Sequence, residues 1–486
     1  MKQTDCPSAR RSTSGFSARP LAWKLAPLLL GAALPAISAA ETTTFSPSAA
    51  IGRQNVPPST SEPAMLGPFK YIAPSNTSTT DAATPVEAEK PKRSPKLQRI
   101  IDLSAAGDYK AVSAEGMALL ANEKQDDELQ LIVANSLAWT GRLKEAVPAY
   151  QGLLTGKYAN DASVGLASVY RWNGRDDRAV TLYRSVLASD PTHAGALEGL
   201  NLATRETSPR TLLSFGSGGD SSEEQRQFAT LNHRWRDKSG VHLMEVETSL
   251  VKDALPGVEA QQQDVSFRYQ NLNLALKPSL ELSMPTTNDH TLYGSVRVKL
   301  FADQVTLSGG RVNWSRMATN PNALTRGLSA MHAGLSYVRD FSMGNLSARV
   351  NLYDVSDDNL VVASSVHLAS AWRPLGSSFK PFIGVETRGA KFSATSYWSP
   401  DQGSGTLYAG LLADWGSTDW NFFVSAQLGT RLFGDAGTSS SLSTGGKFWI
   451  TNDLALSASI WSMESWRNNA AYRAQAATLN LEKLWR

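Results

Sequence analysis

Beyond Thr207 the chain falls into segments of about 9–12 residues that alternate apolar and polar side chains, and this period of two constrains the fold more than any other feature. Val296, Val298 and Leu300 alternate with Arg297, Lys299 and Phe301. Ala348, Val350 and Leu352 alternate with Arg349, Asn351 and Tyr353. Phe422, Val424, Ala426 and Leu428 alternate with Phe423, Ser425 and Gln427, and Arg431 lies further along the polar face. Met244, Val246, Thr248 and Leu250 flank Glu245 and Glu247, and Leu280 and Leu282 flank Glu281. Turn-forming clusters punctuate the array, among them Asp237–Gly240, Met343–Asn345, Asp357–Asn359 and Thr451–Asp453. At roughly 17 residues per strand and connection, about sixteen antiparallel strands fit between Arg210 and Arg486.

Such an array closes either as a soluble sandwich or propeller, or as a transmembrane barrel. The strands are long for a sandwich, where about 5–6 residues is usual. Trp314, Tyr337, Trp372, Trp398, Trp415, Trp420, Trp449 and Trp466 stand near strand ends, as an interfacial girdle requires. The last segment is itself a strand, with Ala477, Leu479, Leu481 and Trp485 on one face and Thr478, Asn480, Glu482 and Arg486 on the other. Closing it onto the first strand removes the exposed edge, which favours the barrel. Both barrel termini then face the same compartment, because the strand number is even. The connections near 315–327 and 393–405 are long enough to serve as plugs or external loops.

The remainder of the chain is of another kind. Residues 1–24 carry Lys2, Arg10, Arg11, Arg19 and Lys24, and an apolar stretch from Leu25 to Ala40 ends in Ser38-Ala39-Ala40. Residues 1–40 therefore read as a secretory signal, whose removal takes away Cys6, the single Cys of the 486 residues. Residues 41–94 are rich in Ser, Thr, Pro and Ala and read as a disordered linker. From 95 to 206 the period turns helical. Gly107, Gly141 and Gly174 recur 34 and 33 residues apart. Ala146 and Tyr150 follow the second, Ala179 and Tyr183 follow the third, and Val112 and Gly116 stand in their places after the first. Ala134 and Ala167 are the matching small residues of the preceding helices. This spacing resembles the tetratricopeptide repeat, so the segment reads as about three repeats and a final solvating helix, Ala194 to Arg205. In that frame Asn135, Trp139, Arg171 and Trp172 face the concave groove, either to bind a partner or to seal neighbouring repeats.

Composition closes off several functions. The net charge is +3, so bulk electrostatics implies no nucleic-acid surface. One Cys excludes a disulfide framework and a multi-thiolate metal site. The six His have no i, i+4 pair and no His-Glu-x-x-His, and no Gly-x-Ser-x-Gly elbow occurs. No catalytic residue, cofactor or metal is expected, and the protein reads as a non-enzyme.

The fold class expected is α+β multidomain: a tetratricopeptide-like helical array followed by an antiparallel transmembrane barrel over residues 207–486. This plan resembles the outer-membrane exopolysaccharide export porins with periplasmic repeats, the group of the cellulose synthase operon protein C barrel and the poly-N-acetylglucosamine porin. Tyr397-Trp398-Ser399-Pro400 is similar to a Tyr-aromatic-Ser-Pro segment of the cellulose export barrel. The resemblance implies location in the outer membrane, passage of a polysaccharide, and repeats docking components of the synthesis machinery. Outer-membrane lipid would surround the barrel. Lumen residues under that reading are Glu245, Glu247, Arg268, Glu281, Arg297, Lys299, Phe301, Arg349, Tyr353 and Arg431, a wet wall of mixed sign with aromatics able to stack on sugar rings. The alternative is a non-conducting scaffold or receptor barrel whose lumen is blocked.

Overall fold

The computed structural model describes residues 94–486 except 123–125, 287–289, 302–303, 319, 342, 373–377, 436, 468–469 and 486. The signal segment, Cys6 and nearly all of the linker lie outside the described residues.

Seven helices open the described chain: α1 (Pro95–Ala105), α2 (Tyr109–Asn122), α3 (Asp127–Trp139), α4 (Leu143–Gln151), α5 (Ala159–Trp172), α6 (Asp176–Ser189) and α7 (Ala194–Thr207). Each packs on the next, and α1, α3, α5 and α7 also touch in succession, which makes three helical hairpins and a seventh helix in a stack. Gly107, Gly141 and Gly174 adopt φ of +79°, +78° and +69° at the turn inside each hairpin, a conformation that favours glycine. The α3 helix is enclosed on most of its circumference, with Leu129, Leu131, Ile132, Val133, Ala134, Leu137 and Ala138 all buried. The recurring tyrosines have a reciprocal partner. A Cβ on Gly165 of α5 would overlap the Tyr150 ring, and a Cβ on Gly199 of α7 would overlap the Tyr183 ring. A bare glycine on one helix thus admits the aromatic of the helix before it.

Sixteen strands follow. They are β1 (Arg210–Asp220), β2 (Gln225–Arg236), β3 (His242–Leu255), β4 (Val258–Asn271), β5 (Ser279–Pro285), β6 (Tyr293–Leu300), β7 (Val305–Asn313) and β8 (Ser329–Phe341). The second half comprises β9 (Gly344–Val355), β10 (Leu360–Ser370), β11 (Phe379–Ala390), β12 (Ser404–Gly416), β13 (Trp420–Gly434), β14 (Ser439–Thr451), β15 (Leu454–Arg467) and β16 (Ala470–Leu484). Every strand pairs antiparallel with its sequence neighbours, and β1 pairs with β16 to close the barrel. Arg210 stands opposite Leu484, so the first strand begins and the last ends at one rim, the rim that carries the helices. Two short helices interrupt the β7–β8 connection, α8 (Trp314–Ala318) and α9 (Pro321–Arg326).

The alternation sorts as a barrel requires. Phe215, Val265, Val296, Ile383, Leu428 and Ile460 point outward and are exposed, Leu428 by 72%. A belt of this extent on a closed sheet is the surface that hydrocarbon, not water, solvates. The intervening strand positions point inward and include the polar and charged Asp253, Asp264, Asn480 and Glu482.

Candidate functional site: the barrel lumen and its helical mouth

A sixteen-strand barrel is wide enough to leave an aqueous interior, so its lumen is the place to look for function. Nine of the ten residues expected there lie on the inward face of their strands. Phe301 does not: it follows β6 in a turn, with φ +52° and 68% exposure. The period of two ended one residue before it, and parity stops predicting direction where the strand stops. Tyr353 faces inward but is covered. It stacks on His332 at 4.8 Å between centroids and meets Trp314 at 4.9 Å, so it packs rather than lines open space.

The β7–β8 connection folds into the lumen. Its α9 helix is set by Asn320, whose side chain accepts from the Asn322 amide, by Pro321 at the first turn, and by Gly327 at φ +60°. The helix lies against β3 and β4, several strands away from β7 and β8. Arg316 anchors the segment, with Nη2 3.3 Å from Glu247 Oε1 and Nη1 3.6 Å from Asp264 Oδ2. Arg226 Nη2 donates to the Arg316 carbonyl at 3.2 Å while its Nε lies 3.3 Å from Asp253 Oδ1. Asp253 is fully enclosed and Arg226 nearly so. Next to this knot, Arg268 bridges Glu245 at 2.8 Å and Glu281 at 3.2 Å.

The segment around Tyr397 supports the same fold-in. The Tyr397 hydroxyl donates to Asp357 at 2.9 Å and accepts from Asn359 at 3.0 Å, on the β9–β10 turn. Ser399 Oγ accepts from the Ala394 amide, and the Pro400 carbonyl accepts from the Ala390 amide. The Tyr397 ring meets Trp314 edge-on at 5.4 Å, within a buried cluster that includes Leu328, Val355 and Val361. Arg388 stands 5.4 Å from the Trp398 ring centroid. This segment is a clasp between loops.

Three expected girdle residues prove to be internal. Trp314 is buried in the loop cluster, Trp398 lies beside Arg388, and Trp449 sits inward at the helix-bearing rim. Trp415 and Trp420 are exposed as expected, and Trp415 stacks on Phe422 at 6.0 Å.

At that rim the final helix docks instead of facing water. Arg205 of α7 is 5% exposed; its Nη2 donates to Asp419 Oδ1 at 2.9 Å, and its Nη1 donates to the Thr418 carbonyl. Its guanidinium lies 4.3 Å from the Trp449 ring centroid. Arg210 donates to the Arg205 carbonyl at 2.7 Å and stands 3.4 Å from Glu482. On the other side, the carboxylate of Asp177 in α6 lies beside Gly240 of the β2–β3 turn. Asp176, almost enclosed, is pushed up to about 6 by burial and by Glu206, against the opposing pull of Arg236 and Arg171.

The four residues expected in the groove of the helical array are half-buried and contact neighbouring side chains. Trp139 packs on Tyr109 at 4.7 Å, and Trp172 packs against the helical core. Asn135 accepts from the Tyr150 hydroxyl at 2.7 Å, and Arg171 is half-buried. Trp139 and Trp172 thus pack on neighbouring side chains, because a large aromatic next to a hairpin seam gains by covering its neighbour. Among the described residues, no group of three His, Cys, Asp or Glu could hold a metal, and no helix is long and apolar enough to cross a membrane.

Comparison with solved structures finds barrels. A bacterial polysaccharide outer membrane secretin matches 58% of this chain and 99% of its own, at 12% identity and a TM-score of 0.46. The CymD monoaromatic hydrocarbon channel matches over 60% and 91% at 10% identity and 0.32. OccK1 (OpdK) of Pseudomonas aeruginosa matches over 57% and 98% at 9% identity and 0.31. No family description and no curated protein matches the chain.

Proposed function

We propose that the protein is an outer-membrane porin that passes a secreted polysaccharide, with its helical array in the periplasm as a tetratricopeptide-like dock for the synthesis machinery. The observation that carries this reading is the closed sixteen-strand barrel with an apolar exterior and a charged interior, whose helix-bearing rim holds the array in place through Arg205. Strand number gives the width, the outer belt gives the bilayer, and the charged wall keeps the interior wet. The array sits where a polymer arriving from the periplasm would meet the lumen.

The β7–β8 fold-in favours a second reading, a plugged barrel acting as a scaffold or receptor, because Arg316 ties the segment to the inner wall. Planar-bilayer recording of the full chain separates the two. Stepwise conductance supports the porin, and a correctly folded barrel that stays electrically silent overturns it in favour of the scaffold.

A further inference from the structure

The inner wall carries both signs, but its acids and bases are unevenly distributed by sector. On β3, β4 and β5 stand five acids, Glu245, Glu247, Asp253, Asp264 and Glu281, and each lies within 3.6 Å of Arg226, Arg268 or Arg316. Those five acids share three guanidinium groups, Arg268 and Arg316 each bridging two of them, and the sector is partly covered by α9. The sector from β6 to β13 is different. Its inward charges include Arg297, Lys299, Arg349, Arg388 and Arg431. Its inward acids are Asp414, which pairs with Lys380 at 2.9 Å, the half-buried Glu386, and Asp340 near the end of β8, which accepts from Asn345 at 2.7 Å. Asp357, Asp358, Asp401 and Asp435 lie on turns beyond the strand ends.

Register shows that these bases face the same space. Arg349 pairs with Ser365, Ser365 with Glu386, Glu386 with Thr406, and Thr406 with Arg431. In the other direction, Arg349 pairs with Ser336, Ser336 with Thr306, and Thr306 with Lys299. One hydrogen-bonded row therefore carries Lys299, Arg349 and Arg431, with Glu386 the single acid among them. Arg349 and Arg431 are both exposed and have no ion-pair partner among the described residues. They stand four strands apart, roughly 19 Å along the wall at the usual strand spacing.

We propose that the open sector of the lumen selects an anionic polymer, a glycan bearing carboxylate or other acidic groups, and that Arg349 and Arg431 are its principal specificity-determining residues. This deepens the porin reading and rests on it. Cations on one side of a low-dielectric wall raise the local concentration of anions. A row of them spaced along the wall offers a polyanion repeated weak contacts without one tight site that would stall it. The acids opposite are held in ion pairs on the wall, where three guanidinium groups offset three of their five charges.

The test uses the full chain in planar bilayers under a KCl gradient, with polygalacturonate oligomers, neutral dextran oligomers and cationic chitosan oligomers of equal length as probes. Wild type is expected to prefer chloride over potassium. Polygalacturonate should block the current at concentrations about tenfold lower than dextran does, within the range that charge focusing supplies. R349E combined with R431E should abolish the chloride preference and the polygalacturonate advantage. The uncharged pair R349Q and R431Q should give an intermediate result with the barrel intact. A conducting wild-type barrel that prefers potassium, or is blocked best by dextran or chitosan, overturns the proposal and leaves the porin reading standing. So does a double variant with unchanged selectivity. A silent wild-type barrel overturns the porin reading, and this proposal with it.

Discussion

Arg205 and Asp419 meet at 2.9 Å across the junction between the helical array and the barrel, with Arg205 only 5% exposed. They are 214 positions apart in sequence, and the contact fixes the last helix to the β12–β13 turn. Arg205 would be buried at great cost without partners, and it has two acceptors and the Trp449 ring. Arg205→Ala should cost the junction about 2 kcal/mol, the scale of hydrogen bonds to a charged group. Hydrogen exchange in 201–207 and 417–421 should accelerate roughly 30-fold while the strands keep their protection. Unchanged exchange in both segments would show that the junction is held elsewhere.

The two helical glycines set local propensity against tertiary packing. Gly165→Ala and Gly199→Ala replace the poorer helix former with the best one, a local gain of about 1 kcal/mol. Each new methyl would intrude on a tyrosine ring, Tyr150 or Tyr183, and overpacking costs about 1–3 kcal/mol. Both variants are expected to lower the unfolding midpoint of the helical signal in guanidinium. A rise in that midpoint would mean that the rings have room to move.

Asp176 gives the helical array a pH dependence. Its folded pKa is about 6 against an ordinary 3.8, so between those values the folded state holds the proton more tightly than the unfolded chain. Stability from this group is therefore highest near pH 4 and falls as the pH rises to about 6, by roughly 3 kcal/mol for a shift of about two units. Asp176→Asn should flatten that slope and stabilise the array at pH 7. The check is chemical denaturation of the full chain, followed by helical signal from pH 4 to 7. A wild-type slope of the opposite sign would reject the assignment.

Arg316 ties the inward segment to Glu247 and Asp264. Arg316→Ala leaves two acids without their guanidinium, and the segment loses its hold on β3 and β4. Conductance and current noise in planar bilayers should both increase, since a loosened segment samples positions away from the wall. Identical traces from wild type and variant would show that the Trp314–Tyr397 cluster alone keeps the segment in place.

The sequence by itself determined the elements of this protein. The period of two from Arg210 onward set the strands and, through their number and the polar ends of the turns, a closed barrel with both ends at one rim. Glycines at 107, 141 and 174 set the helical hairpins, because a left-handed turn residue is a local requirement that a sequence displays openly. Tertiary structure decided what the side chains meet. Parity says that Arg349 and Glu247 both point inward, but whether a charge is matched depends on which strands and loops lie within a few ångströms, and those partners are distant in sequence. Thus Glu247 is spent on Arg316 from another part of the chain, while Arg349 stays exposed. The same reason moved Trp314 and Trp449 from an expected girdle to the interior, and set Trp139 against Tyr109 and Trp172 against the helical core. Strand direction is a local, repeating property of the backbone; the neighbours of a side chain are set only when the sheet closes and the loops fold back.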